Sequence, residues 1–309
     1  MFRSYIFLAT VFLSLSFVSC QSDTEEVPIV DCHVHLWDTR RLEGISWPRP
    51  EHKKIYRPYL PEHISPIAKA NNVKGIVAMQ SGQTTGDNQW NLDIIEKDPL
   101  FKGVIGNLSR VIATKEFEPL FKNLCNNKKY LGYRLSGKYK EGLSELLIRH
   151  LKLTAAKGKA VDFLVGGYSF KDIREIAKKI PDLRIMLDHF GGVSLNGKGL
   201  NPDWVKEFKE MGKYPNIFCK VSAMYGRFKE QPAPKDLKYY TEILDLAYEV
   251  FGEDRLIFSS DWPVTEQTAD YTSVVNLTKS YFNPKGKKVA RKVFFENARQ
   301  FYKIPDLNN

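Results

Sequence analysis

Two histidines stand two residues apart in the stretch VDCHVHLWD, residues 30–38, and a third follows an aspartate in DHFGG, 188–192. The chain has only six histidines, so half of them lie in these two stretches. Asp261 closes a further apolar run, in SSDWP at 259–263. Imidazoles and a carboxylate are groups that bind divalent metals, move protons near neutral pH and hydrogen-bond developing charge. Side chains at i and i+2 of an extended strand leave from one face. His33 and His35 therefore point the same way.

These groups can act together only if the chain gathers them. Short apolar runs begin at residues 27, 73, 101, 130, 160, 183, 216 and 255, each ending in polar residues or glycine. Their continuous apolar character predicts strands buried on both faces of a parallel sheet. Between them lie stretches such as LSELLIRHLKLTAAKG and DLKYYTEILDLAYEVFG, whose apolar residues recur at helical steps. Eight strands alternating with helices over about 280 residues predict a (β/α)8 barrel. An open, doubly wound sheet is the rival arrangement. In a barrel the site forms at the carboxyl ends of the strands. Those ends offer His33 and His35, then Arg134, Tyr168, Asp188 with His189, Lys220, Tyr225 and Asp261. Strand eight would lie beside strand one, bringing Asp261 to the paired histidines. The long segment 37–72, rich in Pro, Trp and Tyr, is placed to cover the mouth. Asp188 reads as a structural brace. His52, His63 and His150 read as histidines without a role, and Trp47 and Trp90 as core or rim.

The arrangement resembles the amidohydrolase-related (amidohydrolase 2) family, in its sugar-lactone and pyrone-dicarboxylate lactonase branch. DCHVHLWD is similar to the family's opening His-x-His signature, DHFGG to its strand-six motif, and CKVSAM to its Lys-x-Ser segment. SSDWPV and FENARQFY resemble its two closing motifs, and the matches run in order from residue 30 to 302. The resemblance implies a hydrolase that opens the lactone ring of a sugar acid. Asp261 would be the general base, with His33, His35 and His189 as catalytic partners. Arg134, Lys220, Tyr168 and Tyr225 would bind the substrate, with Trp37 as a flat wall. Where the wider superfamily has a strand-four metal bridge and a strand-five histidine, this chain has Arg134 and the run FLVGGYSF. Two metals are thus not expected. The site has either no metal or one Zn²⁺ on His33, His35 and Asp261. The alternatives are a metal-dependent non-oxidative decarboxylase, an amide hydrolase, or a lipid-anchored binding protein without chemistry.

The bulk properties bound the partners. The chain has 309 residues, 43% of them hydrophobic, with a net charge of +10. The basic residues are scattered, apart from the run KGKKVARK at 285–292, which reads as a solvated helix face. No nucleic-acid motif accompanies them, so the expected partner is a small molecule. The four cysteines show no metal-type spacing, and Cys32 and Cys219 read as core. Residues 1–19 carry Arg3, an apolar stretch and small residues, the pattern of an export signal. The ending FVSC resembles a bacterial lipobox, which implies cleavage before Cys20 and lipid attachment there. Residues 20–28 would be an acidic tether and 29–309 the barrel. The expected location is the periplasm or outer membrane of a bacterium, with membrane contact only through the lipid.

Overall fold

The computed structural model describes residues 26–136, 142–166, 168–305 and 307. The signal, the lipidation position Cys20 and most of the tether lie outside these residues. Every predicted strand is present: β1 (Ile29–Leu36), β2 (Val73–Gln80), β3 (Phe101–Asn107) and β4 (Tyr130–Leu135). They are followed by β5 (Ala160–Phe163), β6 (Arg184–Leu187), β7 (Ile217–Val221) and β8 (Leu256–Phe258). Their spatial order is the chain order and each adjacent pair is parallel.

The ring closes between β8 and β1. The Asp261 N–H donates to the His33 carbonyl at 3.0 Å, and the His35 N–H to the Trp262 carbonyl at 2.7 Å. Asp31 reinforces this seam: one carboxylate oxygen accepts from the Ser260 N–H at 2.9 Å, the other from the Tyr271 hydroxyl at 2.9 Å. The barrel thus replaces the open-sheet alternative. All eight residues of β1 are buried, as a strand covered on both faces requires.

Packing divides into two clusters. The larger lies between strands and surrounding helices. The smaller fills the lower barrel with Val30, Cys32, Val77, Met79, Ile105 and Met186. It is plugged from below by Phe301 and Tyr302 of the helix Asn297–Tyr302. Strict alternation along β1 would not allow Val30 and Cys32 to share the interior with His33 and His35. The register resolves this: Asp31 pairs with Ile76 and Val34 with Ala78, so β1 carries one extra residue. Such a bulge re-aims the side chains beyond it. Val30 and Cys32 face the lower core, and His33 and His35 face the mouth.

The basic run 285–292 is centred on the short helix Lys287–Arg291, with Lys285, Lys287 and Lys288 exposed. Lys292 pairs with Glu253 and Asp254, both at 2.6 Å. Cys32, Cys125 and Cys219 are free thiols. No helix among the described residues is long and apolar enough to cross a membrane.

Candidate active site

The ends of β1, β6 and β8 bring three imidazoles and one carboxylate together. His33 Nε2 and His35 Nε2 are 3.1 Å apart. Asp261 Oδ1 lies 3.6 Å from each of them and 4.0 Å from His189 Nε2. Second partners fix the rings. His35 Nδ1 donates to the Met79 carbonyl at 2.7 Å, and His189 Nδ1 meets Ser222 Oγ at 2.7 Å.

Backbone strain helps to aim these groups. His189, Ala223 and Asp261 have φ of 52°, 56° and 61°, one after each of β6, β7 and β8. Left-handed backbone costs an L-residue roughly 1–2 kcal/mol, and such strain tends to gather at functional sites. The glycine of DHFGG has a visible reason: Gly191 has φ +66°, and an added Cβ would meet the Phe170 ring at 2.7 Å.

Burial sets the electrostatics. It pushes the Asp261 carboxyl up to about 7, against the downward pull of Arg227 and Arg134. It brings His35 down to about 3, helped by the Arg134 charge. Burial also holds His33 and His189 well below the ordinary imidazole value. At neutral pH all three rings are therefore uncharged. They can donate or accept hydrogen bonds, and Asp261 exchanges its proton within the working range.

The same atoms form a metal-sized triangle. Sides of 3.1, 3.6 and 3.6 Å place a point about 2 Å from all three atoms, a Zn–N or Zn–O bond length. The donor set, two neutral imidazoles and a carboxylate, fits one divalent ion. β5 adds no histidine; its end continues into Leu164 at the cavity wall.

Above this group opens a cavity of about 620 Å³. Arg134 lines it, as read from the sequence, and so do Arg49, Arg110 and Arg227. Among the described lining residues Asp261 is the sole carboxylate. Arg134 is 7% exposed; one guanidinium nitrogen donates to the Gln80 carbonyl at 3.0 Å while its Nε has no partner. Arg49 pairs with Glu51 at 3.1 Å. Trp47, His52 and Arg49 bring the segment 37–72 to the rim as expected. That segment is anchored by Glu266, which accepts from the Tyr59 hydroxyl and the Trp262 indole, both at 2.7 Å.

Four expected substrate contacts are corrected. Lys220 is wholly buried beneath the mouth, bonded to Asp162 at 2.6 Å and Asp188 at 2.9 Å, because an ammonium inside a barrel must find anions. Trp37 packs edge-on against Trp47 and Tyr59 and donates its indole N–H to the Arg57 carbonyl. Tyr168 packs on Phe163, and Tyr225 on Tyr240. None of the four lines the cavity. Sequence reading missed Arg227, which sits beyond β7 on Met224–Arg227, and the rim residue His52. The clue for Arg227 was a cation six residues after a barrel strand rather than at its end. Asp188 does brace the site, and His150 is a core histidine bonded to the Ile112 carbonyl.

Comparison with known proteins agrees with this fold. The family model described as Amidohydrolase matches residues 170–304. The chain is 25% identical to the L-fucono-1,5-lactonase of Burkholderia ambifaria, over 89% of this chain and 95% of that protein. An amidohydrolase from Burkholderia multivorans, solved with bound zinc, superposes with TM-score 0.78 at 20% identity, covering 90% of this chain and all of the other. A protein from Pseudomonas putida described as a 2-pyrone-4,6-dicarboxylic acid hydrolase gives TM-score 0.69 at 19% identity, covering 90% and 98%.

Proposed function

We propose that this chain, which resembles the amidohydrolase-related family, is a hydrolase that opens the lactone ring of a sugar acid. The observation that carries this reading is Asp261. It is a buried carboxylate, raised to about 7, at the floor of an arginine-lined mouth beside three neutral imidazoles. A base matched to neutral pH takes a proton from water efficiently. The water oxygen adds to the lactone carbonyl carbon, and its proton passes to Asp261. Preorganised donors then stabilise the new oxyanion; His189 and the forked Arg134 are the groups available. Collapse breaks the ring C–O bond, and the leaving alkoxide recovers the proton from Asp261. The product acid loses its remaining proton to solvent, and a guanidinium can hold the resulting carboxylate with two parallel hydrogen bonds. Arg134 and Arg227 suit that role, and also suit a substrate that carries a carboxylate of its own.

One divalent ion would be held by His33 Nε2, His35 Nε2 and Asp261 Oδ1, and when bound would polarise a carbonyl and acidify water.

The test is proton release from a panel of aldonolactones and carboxylated lactones, with and without added Zn²⁺. Turnover of at least one sugar lactone is expected. Inactivity on all of them under both conditions would remove the reading.

We infer further that the reaction takes place outside the cytoplasm, on a lipid-anchored protein. The pattern of residues 1–20 supports this, with Cys20 as the acylated residue. Labelled palmitate should enter the full-length protein in a bacterial host and be lost in Cys20→Ala. Labelling unchanged by that substitution would refute the anchor.

A further inference from the structure

We propose that Lys220 is a positioning residue: it sets which nitrogen of His33 carries the proton, and it thereby holds down the affinity of the His33–His35–Asp261 triangle for a divalent ion. The argument starts from the two ends of one hydrogen-bonded chain. At the upper end His35 Nδ1 lies 2.7 Å from the Met79 carbonyl. A carbonyl has no proton to give, so Nδ1 carries it, and the neutral ring leaves Nε2 bare. The 3.1 Å contact between the two Nε2 atoms is then a hydrogen bond only if His33 carries its proton on Nε2. At the lower end Lys220 Nζ donates to Asp162 Oδ2 at 2.6 Å and lies 3.2 Å from His33 Nδ1, while Asp188 Oδ1 at 2.9 Å is an ion-pair contact outside hydrogen-bond geometry. An ammonium can only donate, so the nitrogen that faces it, His33 Nδ1, must be bare. Both ends give the same answer.

The competing arrangement has His33 donating from Nδ1 to Asp188, the usual support for a metal-bound imidazole. Here that contact is 3.4 Å, longer than the lysine contact and outside the normal hydrogen-bond range. Adopting it would also set the His33 N–H against the Lys220 ammonium 3.2 Å away, two donors facing each other in a fully buried place. Lys220 therefore withholds the His33 lone pair that an ion requires. Its charge stays in place throughout; the effect is one of hydrogen-bond direction.

Two readouts test this, and neither involves a substrate, so its fate is separate from that of the lactone reading. The first is the tautomer of His33 in metal-free, ¹⁵N-histidine-labelled protein, read from long-range proton–nitrogen correlations. Protonation on Nε2 is expected, and protonation on Nδ1 would overturn the proposal. The second is Co²⁺ binding by calorimetry to the intact chain and to Lys220→Met. The variant should bind roughly 10–100-fold more tightly, the range for supporting partners of metal ligands. Its His33 proton should move to Nδ1. Equal affinity in a folded variant, or tighter binding with the Nε2 proton unmoved, would mean that Lys220 acts otherwise. If Lys220→Met does not fold, the wild-type tautomer alone decides.

Discussion

The two ends of the barrel interior treat charge in opposite ways. At the bottom the opposite charges sit in ion pairs. The Tyr302 hydroxyl donates to Asp162 at 2.7 Å, and Lys220 binds both Asp162 and Asp188. Burial alone would lower the Lys220 ammonium, but the two carboxylates win and hold it above its ordinary value. At the mouth the charges face one another without pairing. Asp261 stands 3.6 Å or more from its imidazole neighbours, and the Arg134 Nε has no partner. Arg110 and Arg227 make no side-chain hydrogen bond or ion pair among the described residues, although Arg227 feels the Asp261 charge. A buried unsatisfied group such as the Arg134 Nε is costly unless a ligand completes it. The lower set holds the structure, and the upper set is the one proposed to meet substrate.

Asp261→Asn breaks the comparison most sharply. Loss of a general base typically lowers the rate about 10²–10⁴-fold. The wild-type rate should rise with pH through about 7 as Asp261 ionises, and that limb should vanish in the variant. Stability should move the other way. The folded carboxyl binds its proton more tightly than the unfolded one, so its contribution to stability falls as pH rises from about 4 to about 7. Asp261→Asn should therefore be more stable than wild type at pH 8, by on the order of 1–4 kcal/mol. A variant less stable there would show that Asp261 belongs with the structural set.

Lys220→Met tests the lower set. Removing one partner of a buried ionic group usually destabilises by about 3–5 kcal/mol, to be read as a lower urea midpoint. A loss below about 1 kcal/mol would show that the network is not structural. Next in size is the guanidinium pair at the mouth. Arg134→Met and Arg227→Met should each raise KM roughly 10–100-fold, as expected for one charge-assisted hydrogen bond lost. An unchanged KM in both would leave the arginines without the role proposed for them.

How much of this was legible in the sequence follows from which physical rule each residue obeys. The barrel could be read because each strand is buried on both faces and so appears as an unbroken apolar run. His33, His35, His189 and Asp261 could be placed because strand ends map to one rim. The bulge in β1 was hidden, because an extra residue leaves no mark in an apolar pattern; only the register of Asp31 and Val34 reveals it. Lys220 was misplaced because the period-two rule gives a side chain's face and says nothing of its depth. Depth is decided by partners from β5 and β6, Asp162 and Asp188, which are remote in sequence. Arg227 and His52 were missed because loop paths depend on anchors such as Glu266. That residue lies 207 positions from the Tyr59 hydroxyl it holds.

Trp37 gives the smallest and finest test of the boundary between the two regions. It lies two residues after His35, so the face rule sends it toward the mouth. The structure instead seals it at 1% exposure beneath Trp47, with its indole N–H on the Arg57 carbonyl at 2.8 Å. Trp37→Phe keeps an aromatic ring in that place and removes one neutral hydrogen bond, which is worth about 1 kcal/mol. Chemical denaturation should register a loss of that order, and KM should stay within about twofold of wild type, a difference under 0.5 kcal/mol. A tenfold rise in KM without a matching loss of stability would put Trp37 against the substrate. The mouth would then begin one residue layer deeper than the cavity walls indicate.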